Sequence, residues 1–290
     1  MNTNTAWPGS WQRCCWGGSC HWWWSAGSRE SSPGLPRRAG PSSFDAGADR
    51  RGRRGRRTPT ASPVSGGHGV NVIGVIPARA GSRRLPGKNL CRLGDRPLIA
   101  WTCEAARTSG VLDAVYVNTD SPEIAAAARA CGAQCPALRP AHLAADDTPT
   151  RDSNLFLLEL LARRGARADA VMILQPTSPL RTADDIRAAW ALYEEHAPCA
   201  VVSVSPVAPE AWLGRIARNG EFERGAGDEL IYRLNGAIYI HGWDDYVTNH
   251  AARKTMAYVM PASRGIDIDT AEDLEQVRSI VDGAPVAAHA

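Results

Sequence analysis

From Val72 onward, short continuous apolar runs alternate with longer segments whose apolar residues recur every three or four positions. Val72–Pro77 (VIGVIP) has no polar residue to mark a solvent face, as a strand covered on both sides of a parallel sheet would require. Residues 114–119 (AVYVNT), Ala170–Leu174 (AVMIL) and 200–204 (AVVSV) read the same way, and 237–241 and 255–260 predict two more strands. Residues 97–107, 121–130, 152–164, 183–195 and Ala271–Val281 predict helices. In 152–164 the apolar stripe is Leu155, Leu158 and Leu161; in 121–130, Pro122 belongs to the first turn and Asp120 or Ser121 to the cap. Strands alternating with helices of this length build βαβ units. The expected fold is therefore α/β, a mainly parallel sheet flanked by helices.

Before Val72 no such period exists. Residues 1–70 are rich in Gly, Pro, Ser and Arg, with Trp22-Trp23-Trp24 beside Cys14, Cys15 and Cys20. A segment of this kind buries too little apolar surface to offset its chain entropy, so a disordered low-complexity tail is expected. It resembles translated non-coding sequence upstream of a later start. It has no apolar h-region of a secretory signal, and Cys-Cys adjacency fits no standard zinc spacing.

Charge divides the chain at the same place. The first 70 residues hold ten Arg against three acids, a net of +7; the remainder holds 23 basic and 27 acidic side chains, a net of −4. A mildly acidic body argues against nucleic acid as its partner. The Arg-rich run at 50–57 could bind an anionic surface, but the tail reading is favoured. No run approaches 18 apolar residues, so no membrane partner is expected. Cys91, Cys103, Cys131, Cys135 and Cys199 form no CxxC pair, and without an export signal they read as reduced thiols in a cytoplasm.

The first strand runs into ARAGSRRLPGKN at 78–89. Ligands of open parallel sheets bind beyond the carboxyl ends of the strands. Gly81 and Gly87 let backbone N–H groups approach phosphate oxygens, and Arg79, Arg83, Arg84 and Lys88 supply countercharge. The spacing is not that of a Walker A loop, because five residues separate the glycines and Asn89 follows Lys88; GxGxxG is absent too. At the other end of the body, Asp267 and Asp269 form a D-x-D pair. In an extended segment both would face one side and could hold Mg²⁺. Asp269 or Thr270 could instead cap the following helix, with Thr270 and Asp273 approximating a capping box. The histidines at 142, 196, 241, 250 and 289 are scattered, and no G-x-S-x-G elbow suggests a covalent nucleophile.

Four motifs occur in order: IPARAGSRRLPGKNL, LQPTSPLR (174–181), RLNGAIYI (233–240) and GIDIDTAEDL (265–274). Together they resemble the acylneuraminate cytidylyltransferases over about 72–281. The resemblance implies a Rossmann-like nucleotidyltransferase domain at 71–283, with a dimerisation insert at about 206–232 and a flexible end at 284–290. It implies a homodimer that joins CTP to a nine-carbon 2-keto sugar acid and releases pyrophosphate, with Mg²⁺ (or Mn²⁺) as cofactor.

Carried over by position, Arg79 and Lys88 hold the triphosphate with Gly81, Ser82 and Arg83; Arg83 stands where the family has Lys. Asn89 contacts the nucleoside, and Arg139 lies near the cytosine. Residues 143–150 (LAADDTPT) match a base-contacting stretch, from which Pro149 departs. Gln175 binds the sugar. Arg224 and Arg233 match arginines that meet the sugar carboxylate, in their own site or across the dimer, and Gly225-Ala226-Gly227 and Glu229-Leu230 depart from the pattern around them. Asp267 and Asp269 become metal ligands, which reverses the preference for a cap; Asp120 could also face the site, although capping is its favoured role. With Arg79 and Lys88 the two aspartates form the catalytic set, and no general base is assigned. Legionaminate and pseudaminate relatives stay open as substrate alternatives. The eight-carbon relative is disfavoured, since it lacks the second and third motifs. A non-catalytic nucleotide-binding protein is disfavoured by the intact loop Lys and paired Asp.

Overall fold

The computed structural model describes residues 10–16, 19–25, 70–209, 214–216, 222–224 and 230–283. The chain divides into two units, 1–67 and 68–290. In the first, Ser10–Trp16 and Ser19–Ser25 pair as an antiparallel hairpin. That is a local structure the disordered-tail expectation did not include; Gly17-Gly18 between two Trp-containing runs is a hairpin signal that needs no wider period. The rest of that tail, and the C-terminal residues 284–290, lie outside the described residues.

The second unit is built on a six-stranded mixed sheet. Its strands are β1 (Val72–Pro77), β2 (Ala114–Asn118), β3 (Ala170–Leu174), β4 (Ala200–Pro209), β5 (Leu230–Gly242) and β6 (Thr255–Val259). The order across the sheet is β6-β4-β5-β3-β1-β2. β1 is parallel to β2 and β3, and β6 to β4; β5 alone runs antiparallel to both neighbours. The flanking helices are α1 (Leu98–Ser109), α2 (Pro122–Ala130), α3 (Thr150–Arg163), α4 (Ala183–His196), α5 (Trp243–Thr248) and α6 (Ala271–Val281).

The continuous apolar runs have a simple cause. Val72 and Ile76 of β1, with Ala170, Met172 and Leu174 of β3, join one core with Ile99, Ile124, Ile186 and Trp190. Ile73 and Val75, with Val171 and Ile173, join a second core against Leu157, Leu158 and Leu161 of α3. Both sheet faces are covered, so neither face needs polar residues. Leu155, expected on the buried stripe, is only half-buried; Leu157 takes its place. Each fully buried large aliphatic side chain contributes about 1.5–3 kcal/mol.

Two elements differ from the expected bounds. β4 and β5 continue past the sheet as an antiparallel arm, in register from Leu234↔Val204 to Leu230↔Pro209, with bulges between Ile231 and Tyr232 and between Leu234 and Tyr239. Near the arm's end, Gly214–Ile216 pairs with Phe222–Arg224. This is the stretch expected to hold a dimerisation insert; its other residues lie outside the described ones. Among the described residues, no helix is long and apolar enough to cross a membrane.

Candidate active site

The carboxyl ends of β1, β2 and β3 open onto one cleft, and the segment after β6 reaches it from the side, with Asp269 bonded by Lys88 of the first loop. The loop after β1 leaves the sheet with Ala78 N–H donating to Asn118 O at 2.9 Å. Ala80 N–H then donates to Asp120 Oδ1 at 2.8 Å, so the carboxylate at the end of β2 clamps the loop. Asp120 is therefore not the helix cap. Ser121 caps α2, its hydroxyl accepting from Ile124 N–H at 3.1 Å. Asn89 is buried and donates to Arg79 O at 2.9 Å, tying the two ends of the loop together. Gly87 has φ +67°, a conformation that favours glycine. A Cβ at Gly81 would meet nothing within 4 Å, so the space above it is open.

All four loop cations are engaged by two carboxylates. Arg79 Nη1 donates to Asp146 Oδ1 at 2.5 Å, and Arg83 pairs with the other oxygen of the same group. The Arg79 guanidinium holds the Asp146 carboxyl below the usual carboxylate range, and Arg83 adds to this. Across the cleft, Arg84 donates to Asp269 Oδ2 at 2.9 Å and Lys88 to Asp269 Oδ1 at 3.0 Å. Lys88 also donates to Ile268 O at 2.8 Å. Its side chain is 12 % exposed against 82 % for Arg83, which makes Lys88 the seated cation of the loop.

Hydrophobic burial aims the D-x-D pair. Ile268 is fully buried with Leu93, Leu98, Leu274 and Val277. The alternation of an extended segment then turns Asp267 and Asp269 the other way. The capping question is also resolved. Thr270 caps α6 with Asp273 as its box partner, and Asp273 Oδ2 accepts from both Asp269 N–H and Thr270 N–H. The carboxylate of Asp269 takes no part. Asp267 opens to solvent yet is ringed by protein; lost hydration pushes its carboxyl up, and neighbouring Asp269 pushes the same way.

The two remaining motifs form the floor of the cleft. Gly236 has φ +78°, and a Cβ there would lie 2.9 Å from Gln175 Oε1, so the side chain of Gln175 rests on this glycine. Arg181 is buried and donates to Gln175 O at 3.1 Å and to Ala237 O at 2.9 Å, joining LQPTSPLR to RLNGAIYI. Burial pulls its pKa down to about 10. Asn235 donates to Ser205 Oγ at 2.9 Å and accepts from Ser203 Oγ at 2.6 Å. Gly265 is seated so closely on this pair that a Cβ would lie 2.1 Å from Ser205 Oγ. Next to it, Arg264 forks onto buried Asp185 at 2.8 and 3.0 Å.

Arg79, Gly81, Ser82, Arg83, Lys88, Asn89, Arg139, Gln175, Asp267 and Asp269 thus border one cleft. Arg139 is buried at its edge. Arg233 is exposed on the arm and has no contact into the cleft among the described residues, and the side chain of Arg224 lies outside them. Asp146, Arg181 and Asp185 are the residues that motif reading did not single out. Asp146 sits in the unassigned LAADDTPT stretch, and a second acid beside Asp147 was its only signal.

The cytidylyltransferase family model matches residues 73–213. A CMP-N,N'-diacetyllegionaminic acid synthase from Legionella pneumophila is 36% identical over 217 residues, covering 70% of this chain and 93% of that protein. An N-acylneuraminate cytidylyltransferase from Escherichia coli is 34% identical over 218 residues, covering 71% of this chain and 51% of that protein. Among solved structures, a CMP:2-keto-3-deoxy-manno-octonic acid synthetase complexed with CTP superposes with a TM-score of 0.57 at 21% identity, over 73% of this chain and 99% of that one. At that identity the likeness speaks for the fold alone.

Proposed function

The chain belongs to the acylneuraminate cytidylyltransferase family, and on that premise we propose that it transfers the cytidylyl group of CTP to a nine-carbon 2-keto sugar acid of the N-acylneuraminate type. The observation that carries this is the four-cation loop beyond β1 facing the Asp267–Asp269 pair across one cleft. The anomeric hydroxyl oxygen of the acid bonds to the α-phosphorus of CTP, the α–β phosphoanhydride bond breaks, the hydroxyl proton is released and pyrophosphate leaves. Such chemistry is mostly positioning and charge stabilisation. Arg79, Arg83 and Lys88 bind the triphosphate, exchanging their carboxylate partners for phosphate oxygens, and steady the departing charge. Gln175, held by Gly236 and Arg181, orients the sugar acid, while Arg139 and Asn89 face the nucleoside. Arg233, which lies on the arm rather than in its own chain's cleft, meets with Arg224 the sugar carboxylate of the other copy across the dimer.

Asp267 and Asp269 fit Mg²⁺ or Mn²⁺: they are hard oxygen donors that the buried Ile268 between them turns to one face. Polarisation of phosphate oxygens and a lowered hydroxyl pKa are what such an ion supplies when bound. The five free cysteines among the described residues suit a reducing cytoplasm. We place a homodimer contact on the arm, where Val207, Tyr232, Leu234 and Val259 are exposed apolar side chains of β4, β5 and β6. A second copy covers them, and Leu234→Glu should yield monomers in sedimentation; a monomeric parent would remove the proposal.

Pyrophosphate release from CTP, screened over a panel of nine-carbon acids, tests the reaction. Turnover with N-acetylneuraminate is expected. A legionaminate-type substrate is the second reading, favoured by the 36% identity that spans 93% of the Legionella protein. Absence of release with every acid would refute the function.

A further inference from the structure

We propose that Asn118 is a positioning residue that sets the choice of pyrimidine base, by fixing the edge that Arg139 presents to it. The proposal rests on the reading of Arg139 as the base-contacting arginine. Arg139 lies in the segment after β2, its own N–H donating to Thr119 O at 2.7 Å. Its guanidinium is close enough to Arg79 and Asp120 to feel both charges, which places it beside the phosphate loop.

Two of its three guanidinium nitrogens are bound to one residue. Nε donates to Asn118 Oδ1 at 3.2 Å and Nη2 to Asn118 O at 2.6 Å. Nη1 is the nitrogen left over among the described residues.

Asn118 in turn has no freedom to turn its amide. Its Nδ2 donates to Ser153 O at 2.7 Å and to Asn154 Oδ1 at 3.0 Å. A peptide carbonyl only accepts, so the nitrogen must face Ser153 and the oxygen must face Arg139. Asn154, whose oxygen accepts from Asn118, donates in turn to Tyr246 OH at 3.1 Å. The carbonyl of Tyr246 is gripped by Arg151 Nε at 3.1 Å and Nη2 at 3.0 Å. Asn118, Asn154 and Arg139 are all buried. Donation therefore runs outward from the guanidinium, Arg139 to Asn118 of β2, Asn118 to Asn154 of α3 and Asn154 to Tyr246 of α5, and Arg151 fastens Tyr246 from the other side.

The chemistry at its end is selective. A guanidinium offers only donors. Cytosine presents two neighbouring acceptors, O2 and N3, whereas uracil presents N3–H, a donor, beside O2. A fixed guanidinium edge therefore accepts cytosine and leaves uracil with two donors opposed. An arginine free to swing could meet the uracil carbonyls and would lose the distinction. Sites built on such fixed hydrogen bonds reject the wrong partner because buried groups are left unpaired.

The test compares Asn118→Ala and Arg139→Lys with the parent, measuring kcat/KM for CTP and for UTP and KM for the sugar acid. For Asn118→Ala the KM for CTP should rise about ten- to a hundredfold, and the CTP-over-UTP preference should fall with it. The KM for the sugar acid, and kcat at saturating CTP, should stay within about threefold. Equal losses for CTP and UTP, or a loss in kcat alone, would overturn the positioning role. If Arg139→Lys erases the preference while Asn118→Ala keeps it, the positioning role fails and the base reading stands. If both keep it, the base reading itself fails and takes the proposal with it. Should Asn118→Ala not fold, the same criteria apply to Asn118→Ser, which keeps a short polar group at the site.

Discussion

The glycine-rich loop and the floor of the cleft border the same space but are held by different forces. The loop's cations are fastened by ion pairs, partly exposed for Arg79 and Arg83 on Asp146 and Arg84 on Asp269, and more deeply seated for Lys88 on Asp269. The floor is fastened by buried hydrogen bonds and close backbone approach: Arg181 on two carbonyls, Gly236 under Gln175, Gly265 on Ser205. Surface ion pairs contribute little stability and exchange partners easily. Buried networks are costly to disturb. A phosphate can replace a carboxylate in the loop without unfolding anything, whereas nothing the substrate brings can replace the floor.

The largest effects should come from the loop and should appear in turnover only. Lys88→Ala and Arg79→Ala each remove a charge-assisted contact to phosphate, costing about 2–4 kcal/mol of transition-state stabilisation, or roughly 30- to 1,000-fold in kcat/KM. Melting temperatures should stay close to the parent's. Activity within threefold for both variants would break the phosphate reading of the loop.

Next come the paired aspartates. Asn caps a helix about as well as Asp, and Thr270 already caps α6. Asp267→Asn and Asp269→Asn should therefore melt normally while turnover falls by at least about tenfold. Added Mg²⁺ should restore part of it, with Asp269→Asn the more sensitive. Calorimetric titration of Mg²⁺ should show weakened binding in both. Unchanged kinetics at limiting Mg²⁺ would remove the pair from the metal site.

The floor should respond in the opposite currency. Gly265→Ala forces a Cβ to within 2.1 Å of Ser205 Oγ, and overpacking of this kind costs about 1–3 kcal/mol. A lower melting temperature is expected, whereas Gly81→Ala, with nothing within 4 Å, should melt like the parent. Equal melting of the two variants would erase the contrast between floor and loop. Acid should act elsewhere, at the end of β5 away from the floor, where His241 pairs with Val171 near the start of β3. His241 of β5 is tucked against Tyr246, ring centroids 5.4 Å apart, and burial pulls its pKa down to about 4, with Asp245 opposing. The unfolded chain then binds its proton more readily, so the stability it contributes is present above about 6.5 and is lost as pH falls from there toward 4. His241→Gln should flatten the stability profile across that window; an unchanged slope would clear His241.

Much of this was readable before any coordinates. The buried strands betrayed themselves because both sheet faces are covered, and the loop because it follows the first strand. The D-x-D pair was visible as a pattern. Its two roles became separable only when Thr270 and Asp273 were seen to cap α6. The antiparallel direction of β5 was hidden, since an apolar run does not encode its direction. α5 is six residues long and too short to show a period. Least legible were the long-range partners. Lys88 and Asp269 are 181 residues apart, and Arg181 and Ala237 56. Local spacing carries no information on such pairs. Asp120 was expected as a cap or a site ligand, and its clamp on Ala80 N–H could be found only in three dimensions.

The smallest predicted effect is also the one that most sharpens the comparison. Asp146 pairs with Arg79 and Arg83, and a triphosphate bound by the loop would have to take those arginines from it. If the pairing is a replaceable counterion, Asp146→Asn should leave the fold intact and bind CTP severalfold more tightly, because less of the loop's charge is already neutralised. Exposed pairs are screened by salt. The gain should therefore shrink as ionic strength rises, and the parent and variant should converge in high salt. If Asp146 instead aligns the arginines for the phosphates, the variant should bind CTP more weakly at every salt concentration. Calorimetric titration of CTP at low and high ionic strength separates the two. Tighter binding that fades with salt would establish the loop as a set of charges held in waiting. Weaker binding in both conditions would move Asp146 to the side of the floor, as part of the fixed framework.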